Sequence, residues 1–183
     1  MNPKDLQDII DRCVHGKRDA QSALYDQYAG KMYALCLYYS KNGEEAKDLL
    51  HNGFIKVFQK IGQYKGKAPF EAWMRRVFTN TALELFRKQK FTEEIDQYQD
   101  QLESFNVDAI NKISETELIE LIQSLSPAYK MVFILYAIEG YSHKEIAEKM
   151  KISVGTSKSN LARARQKLQT AIRERYPEIY NER

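Results

Sequence analysis

An all-α fold in two small domains follows from three features of the 183-residue sequence. Apolar residues recur three and four apart along most of the chain, as they do on one face of a helix. No stretch alternates apolar and polar residues long enough for a strand. An acidic segment without a sustained period separates two blocks that are basic by comparison, the acids from Glu93 to Glu120 facing a single base, Lys112. With 43% apolar residues each block is able to bury a core. The expected organisation is a domain over 1–91, a linker over 92–113 and a second domain over 114–183.

Asn2 and Pro3 suit an N-cap and a first helical position, and Leu6, Ile9, Ile10, Cys13 and Val14 keep helical spacing until Gly16 ends the first helix. Asp19 opens the second, whose face is Ala20, Leu24, Tyr28, Met32, Leu35 and Tyr39. After the Asn42-Gly43 break comes the clearest stripe, Ala46, Leu49, Leu50, Gly53, Phe54, Val57, Phe58 and Ile61. The Gly/Lys stretch 62–68 reads as a loop, and Pro69 restarts a helix that runs through Trp73, Val77 and Phe86 to about Lys90. That loop, beside Tyr64, Phe70 and Trp73, offers backbone freedom, positive charge and π-faces, which gripping an unstacked base requires. The same aromatics at helical spacing equally suit a core.

Beyond the linker, Leu118, Leu121, Ile122 and Leu125 mark a short helix, and Ser126-Pro127 opens another that Gly140 closes. The stretch 142–168 then reads as a helix-turn-helix. Ser142 and Glu145 make a capping box, Ile146, Ala147 and Met150 form a narrow apolar face, and Ser153 caps a long second helix ended by Pro177. That helix carries Lys158, Arg163, Arg165, Lys167, Arg173 and Arg175 against one acid, Glu174, a composition suited to phosphates and guanine edges. Lys151 falls where such a turn often places Gly, so a left-handed backbone there would cost about 1 kcal/mol.

Other function classes fit poorly. His15, His51 and His143 sit in unrelated segments with neither a nucleophile nor metal-ligand spacing, and no Gly-rich phosphate motif is present, so no catalysis, metal or cofactor is expected. Cys13 and Cys36 are expected to be reduced core residues. No apolar run approaches the roughly 20 residues of a membrane span, and the N-terminus lacks the form of a secretory signal, so no membrane insertion and a cytoplasmic location are expected.

Three stretches together resemble the bacterial RNA polymerase sigma factors of the small two-domain extracytoplasmic-function (ECF) class. They are EEAKDLLHNGFIKVFQKIGQYKGKAPFEAWMRRVFTNTALELFRKQK (44–90), LSPAYKMVFILYAIEGYSHKEIAEKM (125–150) and SVGTSKSNLARARQKL (153–168). The resemblance implies a four-helix sigma region two domain that binds the polymerase clamp helices and melts and reads the minus-ten element. It also implies a helix-turn-helix sigma region four domain that binds the polymerase flap and reads the minus-thirty-five element. Carried over by position, the polymerase-binding face is Asp48, Leu49, Asn52, Phe54 and Val57, with His51-Asn52 standing where the family commonly has Gln followed by an acid. The minus-ten contacts are Gln63, Tyr64, Lys65, Lys67, Phe70, Trp73, Arg75, Arg76, Asn80, Arg87 and Lys88. The minus-thirty-five contacts are Thr156, Lys158, Ser159, Asn160, Ala162, Arg163 and Arg165. Asn160 stands where the family often has Arg, and Ser157 where it often has Val. The implied partners are core polymerase, promoter DNA and an anti-sigma factor, with a monomeric free protein. The alternative is a stand-alone helix-turn-helix regulator, which would be a dimer on a palindromic site.

Overall fold

The structure, a computed structural model, describes residues 3–88 and 113–177. Two compact units divide the chain, Met1–Leu85 and Phe86–Arg183. All regular elements among the described residues are helical, as expected. The linker expected over 92–113 lies, except for Ile113, outside the described residues.

In the first unit α1 (Pro3–Val14) and α2 (Arg18–Tyr39) are joined at Gly16, whose φ of +71° is open to glycine without strain. The break at Asn42-Gly43 becomes the cap of α3 (Gly43–Lys60). The Asn42 side chain accepts from the Glu45 N–H at 2.9 Å, and the Glu45 carboxylate accepts from the Lys41 N–H at 3.0 Å. A single 3-10 turn, Ile61–Gln63, leads into the loop before α4 (Phe70–Lys88). Leu24, Met32 and Cys36 of α2 meet Val57 of α3 and Met74 and Phe78 of α4 in one buried cluster. Close approach of α3 to α4 depends on Gly53. An ideal Cβ there would stand 2.5 Å from Cδ1 and Cζ of Phe78, and closer still to Cε1.

Both cysteines are free and buried here. Burial pushes the Cys36 thiol up to about 12. It raises Cys13 as well, against the opposing pull of the Arg12 guanidinium.

The second unit opens with α5 (Glu115–Gln123), capped by a reciprocal box between Ser114 and Glu117. α6 (Pro127–Phe133) starts with proline at its first position as expected, but the Ser126 hydroxyl makes no cap bond and is buried without a partner. The helix expected to continue to Gly140 instead widens into a π-turn over Ile134–Ile138, with Ile134 and Leu135 buried and Tyr136 exposed. α7 (His143–Met150) begins with the expected capping box, the Ser142 N–H donating to the Glu145 carboxylate at 2.8 Å. α8 (Val154–Arg175) begins at Ser153, whose hydroxyl accepts from the Thr156 N–H at 2.9 Å. Between them Lys151 adopts the left-handed conformation, with φ 58° and ψ 45°. Lys151→Gly removes a cost of about 1–2 kcal/mol and gives back part of it through the looser unfolded chain. The expected net result is about 1 kcal/mol of added stability, read as a higher midpoint of thermal unfolding, and an unchanged or lower midpoint would refute it.

Candidate nucleic-acid interface

On α8 the residues facing inward are Ser157, Asn160, Leu161, Ala164, Leu168 and Ile172. This stripe at three- and four-residue spacing fixes what remains outside. Thr156 and Lys158 are exposed, and Ser159, Ala162, Arg163 and Arg165 are half-buried along the outer surface. Arg163 donates through Nη1 to the Tyr129 hydroxyl at 3.3 Å, and the Arg165 guanidinium sits over the Tyr136 ring at 5.6 Å. Both cations are thus braced by tyrosines of α6 and the π-turn. Asn160, among the expected contacts, is at 8% exposure part of the inward stripe. Ser157 is also fully inside, and its hydroxyl lies 3.0 Å from His143 Nδ1 at the start of α7.

In the first unit the loop presents Gln63, Lys65 and Lys67 to solvent. Tyr64 is half-buried, donating its hydroxyl to the Ala68 carbonyl at 2.7 Å, with its ring 5.1 Å from Phe70 and 5.7 Å from Trp73. Phe70 is only 3% exposed and forms a floor under the loop. Trp73 stacks on that floor at 5.4 Å and stays half-buried. Along α4, Arg76, Asn80 and Arg87 are exposed at spacings of four and seven, which places them on one face, with Arg75 half-buried and Lys88 exposed beside them. Glu84, half-buried on that same face, is ion-paired with Lys56 of α3.

The face of α3 departs most from expectation. Asp48 and Asn52 are exposed, but Leu49 (4%), Phe54 (3%) and Val57 (0%) are core residues. Their side chains fill the space between α2, α3 and α4, Phe54 packing on Tyr25 at 4.6 Å and edge-on to Phe78 at 5.5 Å. Little of these three side chains is exposed in the free chain. In their place the exposed stripe is Asp48, His51, Asn52, Ile55 and Gln59, with Ile55 54% exposed at its centre. Ile55 is the one apolar side chain of this helix that falls outside the inward stripe, and that off-period position was the signal in the sequence.

Among the described residues no group of His, Cys, Asp or Glu is placed to hold a metal ion, and no helix is long and apolar enough to cross a membrane.

Comparison with known proteins assigns both halves. The Sigma-70 region 2 model matches residues 24–92 and the Sigma-70, region 4 model matches residues 115–168. The ECF RNA polymerase sigma factor SigW of Bacillus subtilis is 30% identical over 179 residues, covering 90% of this chain and 95% of that protein. The chain belongs to the ECF RNA polymerase sigma factors. RNA polymerase sigma-H factor of Pseudomonas aeruginosa is 27% identical over 179 residues, covering 91% of this sigma factor and 93% of that one. Among solved structures, the Bartonella quintana sigma factor RpoE, in co-crystal with the anti-sigma factor NepR, is 20% identical with a TM-score of 0.49, covering 81% of this chain and 94% of that chain. The region 2 match takes in α3, the loop and α4, and the region 4 match takes in α5 through most of α8. As a sigma factor the protein directs core polymerase to specific promoters and initiates transcription there. The alternative of a stand-alone regulator leaves region 2 without a purpose and is not favoured.

Proposed function

We propose a division of this activity among named surfaces. The outer surface of α8, through Thr156, Lys158, Ser159, Ala162, Arg163 and Arg165, reads the minus-thirty-five element in the major groove. The loop residues Gln63, Tyr64, Lys65 and Lys67, with Trp73 beside them, hold an unstacked base of the minus-ten element. Arg75, Arg76, Asn80, Arg87 and Lys88 follow the separated strand. Asp48, His51, Asn52 and Ile55 form the surface that docks on the clamp helices, and the region four domain docks on the flap. Functionally the domains extend over 1–91 and 114–183, joined by the acidic connector 92–113. The protein does no chemistry of its own, works in the cytoplasm where the promoters are, and is held in check by an anti-sigma factor.

The observation that carries this reading is the basic outer surface of α8 on a capped helix-turn-helix, with two of its guanidinium groups braced by tyrosines. So small a reader makes few contacts, so its affinity for duplex is expected to come mainly through the polymerase. The test is transcription in vitro from a pool of genomic fragments, using bacterial core polymerase with and without the protein, followed by mapping of the start sites. Protein-dependent starts sharing two spaced motifs are expected, with Lys158→Ala relaxing the upstream motif only. Upstream motifs unchanged by Lys158→Ala would refute the assignment of α8.

A further inference from the structure

His143 is the first residue of α7, and three features converge on its half-buried ring. It stacks on Tyr136 with centroids 4.7 Å apart and planes at 23°. Its Nδ1 lies 3.0 Å from the hydroxyl of Ser157, which is fully buried in α8. The Arg165 guanidinium shares the Tyr136 ring at 5.6 Å. The charged groups that act on the imidazole are Lys158 and Arg165, both from α8, while the π-turn contributes the phenol of Tyr136. On its own helix the Glu145 carboxylate is engaged with Ser142. Burial first, then Lys158 and Arg165, hold the imidazole below its usual range, so in the free protein it is mostly neutral at physiological pH.

We propose that His143 is a proton-loaded contact to the promoter backbone, taking up a proton as the upstream element binds, and that Ser157 is the positioning residue that holds the ring in both states. The inference rests on α8 reading that element. A hydroxyl donates to an unprotonated Nδ1 and, after rotation, accepts from a protonated one, so Ser157 satisfies the ring before and after proton uptake. A valine at this position could do neither, and a protonated ring against it would leave a half-buried N–H unmet. Nε2 is on the opposite edge of the ring from Ser157. The first helix of a helix-turn-helix crosses the DNA backbone, and a phosphate there compensates the repulsion from Lys158 and Arg165.

The pKa is depressed in the free protein and restored beside a phosphate, so binding takes up a proton. Affinity therefore rises as the pH falls through the value of the complex, and levels off below the value of the free protein. Each unit of difference is about a tenfold change in affinity.

The test uses the full chain and a duplex carrying the upstream motif found by start-site mapping. With only three histidines, the ring proton of each can be followed by NMR across pH. His143 is expected to titrate about one unit higher in the complex than in the free protein, and the duplex is expected to bind about threefold or more tighter at pH 6 than at pH 8, nearing tenfold only below the value of the free protein. His143→Phe keeps the stacked ring and should abolish this slope while the protein still melts cooperatively. Ser157→Ala should weaken binding more at pH 6 than at pH 8. Binding with His143 unmoved, or a slope retained in His143→Phe, would overturn the inference. A duplex that perturbs no α8 resonance would instead defeat the reading of α8 and remove its basis.

Discussion

Gly53→Ala should cost the first unit about 3 kcal/mol, the largest single-methyl effect anticipated in this chain. A methyl group at position 53 would overlap the ring of Phe78, which is 1% exposed and itself packed edge-on to Phe54. The ring has no solvent side to swing into, so α3 and α4 must separate, and that loosens the contacts of Leu49, Val57 and Met74 together. Trp73 is the only tryptophan of the chain and lies in the same unit, so its fluorescence in a urea titration reads this transition directly. A midpoint equal to that of the parent protein would show that the helices do not approach this closely.

Ile55→Glu is expected to behave in the opposite way, leaving the urea midpoint in place and disabling assembly with polymerase. The side chain is 54% exposed among Asp48, His51, Asn52 and Gln59, so a charge there is solvated in the free protein and costs the fold little. At the centre of an interface the same charge would be desolvated, and loss of a central apolar anchor costs about 2 kcal/mol or more, roughly thirtyfold in affinity for core polymerase. Core binding unchanged in this variant would remove Ile55, and with it the proposed docking stripe, from the clamp contact.

Most helices were legible because their apolar residues keep one period and their ends carry recognisable caps. The Ser142–Glu145 box and the Ser153 cap are legible directly, and Lys151 falls where a turn of this kind often places Gly, the position that is left-handed here. Leu49, Phe54, Val57, Phe70 and Asn160 lie inside motifs that mark the family and are buried in the free chain, since a motif mixes residues that hold the helix in place with residues that meet a partner. Periodicity already put Leu49, Phe54 and Val57 on the inward stripe, and they are buried there. The π-turn was not legible, since widening by one residue depends on how Ile134 and Leu135 pack and not on any local signature. Nor was the His143–Ser157 pair, because the two residues are 14 apart and meet only when α7 crosses α8.

The burial of Cys13 and Cys36 bears on how signals reach this protein. Peroxides and disulfides attack thiolates, and burial holds both sulfurs in the protonated form at neutral pH, out of reach of reagents in solution. The folded chain is therefore deaf to oxidants through its own cysteines. A redox stimulus acting on it would have to take a route other than these two thiols.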